Sequence, residues 1–212
     1  MNGQIKFRHI KEFALCEGDL SYVNLGTINN GSITPVILKV SKNEYDNDLL
    51  TNEADVIKDL NAKFAVERKS DSYKLCIPKL FDTFQVDAHD APKPQVNVLE
   101  YYPGFFDVES IRKLTIGVDG RTLVWMWKRL MGVLSWVHHF RYVHGAVLPP
   151  HVMYFPDLYC PDETTRIKDG RTHSVRLVDW CYAVNTRKKK NLRHGFQIIK
   201  IFMRLKFSRR RT

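Results

Sequence analysis

TPVILKV (residues 34–40) predicts a buried β-strand that carries a single lysine. Its valines and isoleucine favour a strand, and Pro35 stands near the start, where a missing N–H group does least harm. Lys39 is the exception, because an ammonium group in an apolar strand is costly unless it is paired or faces a cleft. The stretch therefore predicts a strand that turns Lys39 toward a cleft.

The segments around this strand predict an antiparallel sheet with one helix. SYVNLGTI (21–28) is rich in β-forming residues, and the NNGS that follows is a turn signal. DLLTNEADVIKDLN (48–61) has its apolar residues near helical spacing, and its Glu53 is the natural partner for Lys39. LFDTFQV and QVNVLEYY return to β-like patterns, so residues 13–102 predict the order β-β-α-β-β.

The character of the chain changes after the Tyr-Pro-Gly sequence that ends at Gly104. Residues 121–143 predict a long apolar helix that holds three of the four tryptophans, which we expect in the core. HGAVLPPHVMYFPD then predicts a loop and a short strand, and SVRLVDWCYAV predicts another strand that ends at Asp179. These changes divide the chain into residues 1–102, 103–186 and 187–212.

Composition places the positive charge in the last of these parts. The chain of 212 residues has 33 Lys and Arg against 23 Asp and Glu, a formal charge of +10. Eleven of the bases and none of the acids lie between Arg187 and Thr212, so the rest is close to neutral. This argues against a basic nucleic-acid-binding fold. With 44 % hydrophobic residues, scattered cysteines and no apolar N-terminal run, we expect a folded cytoplasmic protein with free, buried thiols.

The order of these segments resembles the protein-kinase-like superfamily. In that resemblance Lys39 is the lysine that grips the phosphates of ATP, and Glu53 is the helix glutamate that orients it. HGAVLPPHVM corresponds to the catalytic loop, and VDWC to the metal-binding motif, with Asp179 holding Mg²⁺. The HG and DW pairs also resemble the aminoglycoside and choline kinase branch, and the sequence leaves the choice between branches open.

The same resemblance implies an adenine-binding hinge in NVLEYYPG. Leu99 corresponds to the residue at the back of the pocket, and the backbones of Glu100 and Tyr102 to the groups that bind adenine. Gly18 belongs to the phosphate-binding loop, although EGDLSYVNLG lacks the family's three closely spaced glycines. The implied fold is α+β and two-lobed, with a β-rich N-lobe carrying one helix and a shortened helical C-lobe.

Four departures from the family pattern limit the expected activity. Ala146 stands where the family has the aspartate that orients the acceptor hydroxyl, and alanine accepts no proton. His151 stands at the position of the second metal ligand, an asparagine in the family, and Cys181 replaces a glycine. Only 33 residues follow Asp179. The expected function is therefore slow phosphoryl transfer from ATP to a protein hydroxyl. The alternative is a pseudokinase that binds a nucleotide or a protein partner.

The basic segment 187–212 has three interpretations. GFQIIKIFMRLKF has its polar residues at spacings of three and four, which predicts a helix with one polar face. Such a helix could lie on an anionic membrane, bind nucleic acid through its phosphates, or cover apolar surface of the shortened lobe. We favour the third interpretation, in which the flanking basic runs are solvated.

Overall fold

The structure is a computed structural model that describes residues 7–29, 31–66, 71–86, 93–114, 118–155 and 174–187. Its strands are β1 Phe7–Glu17, β2 Ser21–Asn29, β3 Ile33–Ser41, β4 Leu80–Gln85, β5 Gln95–Glu100, β6 Phe106–Asp107, β7 Tyr142–Val143, β8 Val152–Phe155, β9 Ser174–Leu177 and β10 Val184–Asn185. Its α-helices are α1 Asn47–Val66, α2 Asp71–Lys74, α3 Val108–Leu114 and α4 Gly120–His139. The class is α+β, as predicted.

The first five strands form one antiparallel sheet in the order β1-β2-β3-β5-β4. Lys39 in β3 pairs with Val23 on one side and with Asn97 on the other. Because directly paired residues of an antiparallel sheet point to the same face, these three side chains share a face. Ile37 and Leu99, paired two residues further along, extend the same face and make it largely apolar around Lys39.

Helix α1 packs on this face of the sheet. The Asn97 side-chain amide in β5 donates to the Leu50 carbonyl of the helix at 2.8 Å. The buried residues of α1 recur every three or four positions, which is the pattern of a helix with one apolar side. They are Leu50, Glu53, Ala54, Val56, Ile57, Leu60 and Phe64. Glu53 is the one charged residue among them, so the helix brings a carboxylate into the space beneath the sheet.

A single core joins the sheet and α1 to the second half of the chain. Leu60 and Phe64 of α1, Val133 and Val137 of α4, and Trp180 belong to one cluster of buried residues. Each such side chain contributes about 1.5–3 kcal/mol through burial. Strands β6, β8 and β9 form a small antiparallel sheet, and β7 pairs with β10. The segments that carry residues 144–155 and 174–187 are thereby held against α1.

Four local expectations are corrected by the structure. The sheet has a further edge strand, β1, before the predicted ones. Helix α4 ends at His139 because Arg141 takes a left-handed conformation with φ 66°, which a right-handed helix cannot continue. Trp127 is 62 % exposed, because α4 is apolar on more than one side and the core covers only one of them. Cys16 is exposed rather than buried.

The basic segment predicted as a covering helix lies outside the described residues, apart from Arg187. The three interpretations of that segment therefore stay predictions. No helix within the described ranges is long and apolar enough to cross a membrane.

Candidate functional site

The candidate site is built around the ammonium group of Lys39. Its Nζ atom donates to Glu53 Oε1 at 3.0 Å, to Asp179 Oδ1 at 2.7 Å and to Cys181 Sγ at 3.2 Å. Lys39 and Asp179 are 140 residues apart in the chain. An ammonium group has three N–H donors, so this set of three acceptors uses all of them. We call these four residues the Lys39 cage.

Both carboxylate oxygens of Glu53 accept hydrogen bonds, and these bonds fix its position in the cage. Oε1 accepts the Lys39 ammonium and the backbone N–H of Trp180 at 3.1 Å. Oε2 accepts the side-chain amide of Asn97 at 3.1 Å, and the same amide bonds the helix carbonyl of Leu50. The carboxylate is only 1 % exposed, and a buried carboxylate needs such partners to offset its lost hydration. The predicted pairing of Lys39 with Glu53 is therefore present, and it is buried.

Asp179 closes the cage from the loop that follows β9. Its backbone has φ 63°, the left-handed conformation, which turns the carboxylate back toward the sheet. One carboxylate oxygen meets Lys39, and the other lies 3.0 Å from His151 Nε2. The opposite ring nitrogen of His151, Nδ1, lies 2.7 Å from the Ala146 carbonyl oxygen. Asp179 thus links the cage to the loop of residues 144–151.

The electrostatics of the cage favour its charged forms. Burial alone would lower the pKa of Lys39, but Glu53, with Cys181 and Asp179, raises it well above its ordinary value. Burial alone would raise the pKa of Asp179, but the Lys39 ammonium, together with the neighbouring His151, holds it well below its usual range. Burial raises the pKa of the Cys181 thiol well above its ordinary value. Cys181 is therefore a neutral thiol, which is a weak acceptor for the lysine.

His144 braces the loop from inside. It is 1 % exposed, and burial lowers its pKa to about 4. Its Nε2 donates to the Val178 carbonyl at 3.1 Å, while Nδ1 accepts the Ala146 N–H at 3.3 Å. The ring meets Trp180 edge-on at 4.4 Å between centroids. The neutral imidazole therefore has both nitrogens engaged, which is a structural role.

Backbone carbonyls of the loop after β9 contact two other segments, Gly145 in the loop 144–151 and Asn52 in helix α1. Gly145 has φ 81°, and a Cβ atom there would clash with the Tyr182 carbonyl oxygen. The side-chain amide of Asn52 in α1 donates to the carbonyls of Cys181 at 3.0 Å and Ala183 at 2.9 Å. The loop and the helix are therefore joined by two side-chain to backbone hydrogen bonds.

Two of the residues predicted to form the adenine site, Leu99 and Glu100, lie on the same sheet as Lys39. Leu99 is buried on the face that Lys39 shares. Glu100 follows it, three residues along β5 from the partner of Lys39, which is about 10 Å along the strand. The Glu100 N–H already donates to the Lys79 carbonyl at 2.9 Å. Gly18 lies in the β1–β2 turn, where its N–H donates to the Ser21 carbonyl at 2.9 Å, and within the described part of the chain no hydrogen bond joins it to the cage.

Tyr102 lies in a small aromatic cluster beyond the end of β5. Its hydroxyl lies 3.3 Å from a Glu100 carboxylate oxygen. The guanidinium of Arg176 in β9 lies 5.2 Å from the ring centroids of Tyr102 and Phe105, in cation–π geometry. Burial is the main cause that raises the pKa of the Tyr102 hydroxyl well above its usual range. The segment 100–102 is thus held to β9, the strand that precedes Asp179.

Sequence reasoning did not anticipate Asn97, Arg176 or the bond from Lys39 to Cys181. Asn97 could have been found, because it is a polar residue in an apolar strand, as Lys39 is. The other two contacts join segments that are far apart in the chain, and no local pattern marks them. Arg176 is also notable because its buried Nε atom has no hydrogen-bond partner in the structure.

Comparison of the chain with protein-family models and with curated proteins gives no match. The functional argument therefore rests on the geometry of the cage and of the sheet face beside it.

Proposed function

We propose that the chain is a protein-kinase-like nucleotide-binding protein whose ligand is ATP. The observation that carries the proposal is the meeting of Lys39, Glu53 and Asp179 at one ammonium group. They come from a strand, a helix and a distant loop, in the order and element types that the resemblance implies. A buried lysine oriented by a helix carboxylate is suited to bind phosphate oxygens, which would replace a weaker acceptor such as the Cys181 thiol among its three partners.

The sheet face beside Lys39 supports a binding site for the base. Ile37 and Leu99 give this face an apolar surface, and Glu100 lies about 10 Å along the strand from the pairing position of Lys39. A nucleotide has an apolar, flat base at one end and its charge at the other. Placing the base near Leu99 would direct the phosphates toward Lys39. The two halves of the chain would then be the N-lobe and shortened C-lobe of a kinase-like fold.

Within this proposal the protein binds ATP and transfers its γ-phosphoryl group to a protein hydroxyl slowly or not at all. Ala146 offers only its backbone at the position of the acceptor-orienting carboxylate, and its carbonyl is already bonded to His151. The loop 144–151 contains no acidic residue. This favours a pseudokinase that signals through its nucleotide-bound form over an efficient enzyme.

Thermal unfolding with and without ATP and Mg²⁺ tests the nucleotide site. ATP at one hundred times its dissociation constant would stabilise the fold by about 2.7 kcal/mol, which for a chain of this size raises the Tm by about 5–10 °C. In Lys39→Met this shift should vanish, because the phosphate-binding cation is gone. The matched control is Lys58→Met, which removes an exposed lysine from α1 and should keep the shift.

A wild-type protein whose Tm does not respond to ATP in any buffer would refute the nucleotide site. A shift that survives in Lys39→Met would refute the assigned role of the lysine. Transfer of labelled γ-phosphate above the level of Asp179→Asn would move the assignment from a binding protein to an enzyme.

A further inference from the structure

Asn97 in β5 is the centre of a chain of buried side-chain hydrogen bonds, and its own side chain is fully buried. Its amide nitrogen donates to the Leu50 carbonyl of α1 at 2.8 Å and to Glu53 Oε2 at 3.1 Å. Its amide oxygen accepts the Thr83 hydroxyl of β4 at 2.7 Å, and that hydroxyl accepts the Gln95 side-chain amide at 2.7 Å. The donors and the acceptor of the Asn97 side chain are therefore all used.

These partners determine which way round the Asn97 amide lies. The two neighbours of its nitrogen are a carbonyl and a carboxylate, and both only accept hydrogen bonds. Turned over, the amide would bring its own oxygen against both of them and leave the Thr83 hydroxyl without its acceptor. Asparagine thus supplies two donors toward α1 and one acceptor toward β4, which neither valine nor an ionised aspartate supplies.

The register of the sheet places this amide beside the Lys39 ammonium. Asn97 pairs with Lys39 in β3 and with Thr83 in β4, so the three side chains form a row on one face. Lys39 bonds one oxygen of Glu53 at 3.0 Å, and Asn97 bonds the other at 3.1 Å. Within the described part of the chain, Asn97 is the one hydrogen-bond donor to Oε2. Two adjacent strands therefore hold the two carboxylate oxygens, which fixes the rotation of the carboxylate as well as its position.

The same amide also sets the position of α1. Leu50 and Glu53 are three residues apart, so they lie on one side of the helix. One Asn97 nitrogen thus bonds both the backbone and a side chain of α1, and it fixes the distance of this helical turn from the sheet. All of these partners belong to the protein itself, so the arrangement does not depend on a ligand.

The donors around Glu53 assign it to Lys39 rather than to a metal ion. Among the described residues, Glu53, Asp179 and Cys181 are the one group whose ligand atoms lie close enough to share an ion, within 4.8 Å of one another. The Lys39 ammonium donates to all three of them, and both oxygens of Glu53 are bonded to N–H groups. Mg²⁺ delivered with a nucleotide would thus have Asp179 as its carboxylate ligand, because that ion prefers oxygen to the nitrogen of His151.

We propose that Asn97 is a positioning residue of the nucleotide site, which holds Glu53, and through it the Lys39 ammonium, in place before a nucleotide binds. This rests on the nucleotide site proposed above. A phosphate oxygen then displaces only the Cys181 thiol from Lys39, and the bond to Glu53 stays. Without the Asn97 donors, Glu53 leaves this arrangement for part of the time. The apparent dissociation constant for the nucleotide then rises as the fraction of competent molecules falls.

Calorimetric titration of the full chain with ATP and Mg²⁺ compares Asn97→Val with Thr83→Val. Asn97→Val removes both donors to α1, and its dissociation constant should rise at least about tenfold, which corresponds to a competent fraction of about one tenth. Thr83→Val is the matched control, because it removes the hydroxyl that bonds Asn97 and Gln95 but leaves both donors to α1 in place. Its dissociation constant should stay within about twofold of the wild type.

Three outcomes of this titration contradict the proposal in different ways. Equal weakening in the two variants would show that the bond chain supports only the fold. An Asn97→Val protein that binds ATP as tightly as the wild type would overturn the positioning role and leave the nucleotide site in place. A wild-type protein that does not bind ATP would overturn the nucleotide site, and this proposal with it.

The ammonium resonance of Lys39 provides a readout that needs no nucleotide. It is observed in a ¹H–¹⁵N spectrum of the lysine side chains and assigned by its loss in Lys39→Met. The resonance should be present in the wild type and in Thr83→Val, and it should broaden or disappear in Asn97→Val. If Asn97→Val does not fold, Asn97→Thr, which also removes the amide and favours a strand, takes its place. Absence of the resonance in the wild type, or an unchanged resonance in the Asn97 variant, would overturn the proposal.

Discussion

We expect mild acid to destabilise this protein through His144, in a pH range where carboxylates are still ionised. The imidazole is 1 % exposed, and its pKa is about 4 in the folded chain. Its two nitrogens are occupied as one donor and one acceptor, to the Val178 carbonyl and from the Ala146 N–H. A second proton on the ring would need an acceptor where an N–H group already points at Nδ1.

The sign follows from the two pKa values. In the unfolded chain a histidine takes up a proton below about pH 6.5, whereas folded His144 does so only near pH 4. Between these values the unfolded state binds more protons, so the free energy of unfolding falls as the pH falls. Integrating over the fully buried group gives a loss of about 2 kcal/mol from pH 7 to pH 5, and about 3 kcal/mol by pH 4.

Urea unfolding at a series of pH values from 7 to 5 measures this slope. His144→Gln retains one donor and one acceptor but cannot titrate, so the variant should lose most of the pH dependence, whatever its stability at neutral pH. His138→Gln, at an exposed position of α4, should keep the wild-type slope. An equal slope in His144→Gln and the wild type would refute the assignment of the acid sensitivity to His144.

Two further predictions concern the cage and its loop. Glu53→Gln should lower the free energy of unfolding by about 3 kcal/mol in urea, because it leaves the buried Lys39 ammonium short of a negative partner; a loss under about 1 kcal/mol would show that Asp179 suffices. Gly145→Ala should lower the Tm by more than about 5 °C, since the added Cβ meets the Tyr182 backbone at a positive φ. Gly120→Ala, where a Cβ meets no atom within 4 Å, is its control, and equal melting of the two variants would contradict the steric argument.

Much of the sheet and part of the cage could be predicted because their signals are local. Lys39 is the one charged residue in its apolar strand, and Glu53 is the one charged residue on the otherwise apolar side of the next helix. Strand β1 escaped prediction because it is an edge strand with mixed polar and apolar residues, and an edge position tolerates that mixture. The end of α4 was predicted too late, because the apolar pattern continues through residue 143 although the left-handed backbone of Arg141 ends the helix at His139.

The rest of the site depends on contacts that no local pattern encodes. Cys181 becomes the third acceptor of Lys39 only because the left-handed turn at Asp179 brings the following residues beneath the sheet. The contact of His151 with Asp179 likewise joins the loop 144–151 to the segment that follows β9. The kinase-like resemblance predicts an oxygen ligand at the position of His151, but no sequence pattern indicates that its ring contacts Asp179 and the Ala146 carbonyl.

The two bonds from the Asn52 side chain to the carbonyls of Cys181 and Ala183 fasten helix α1 to the loop after β9. Rotation of the helix away from the sheet would break both bonds, each of which contributes about 1 kcal/mol to stability. It would also break the contacts of Glu53. The loop after β9 has the same restraint, because moving it away from α1 breaks the same two bonds. A partner that displaces either element therefore has to offset the loss of both bonds.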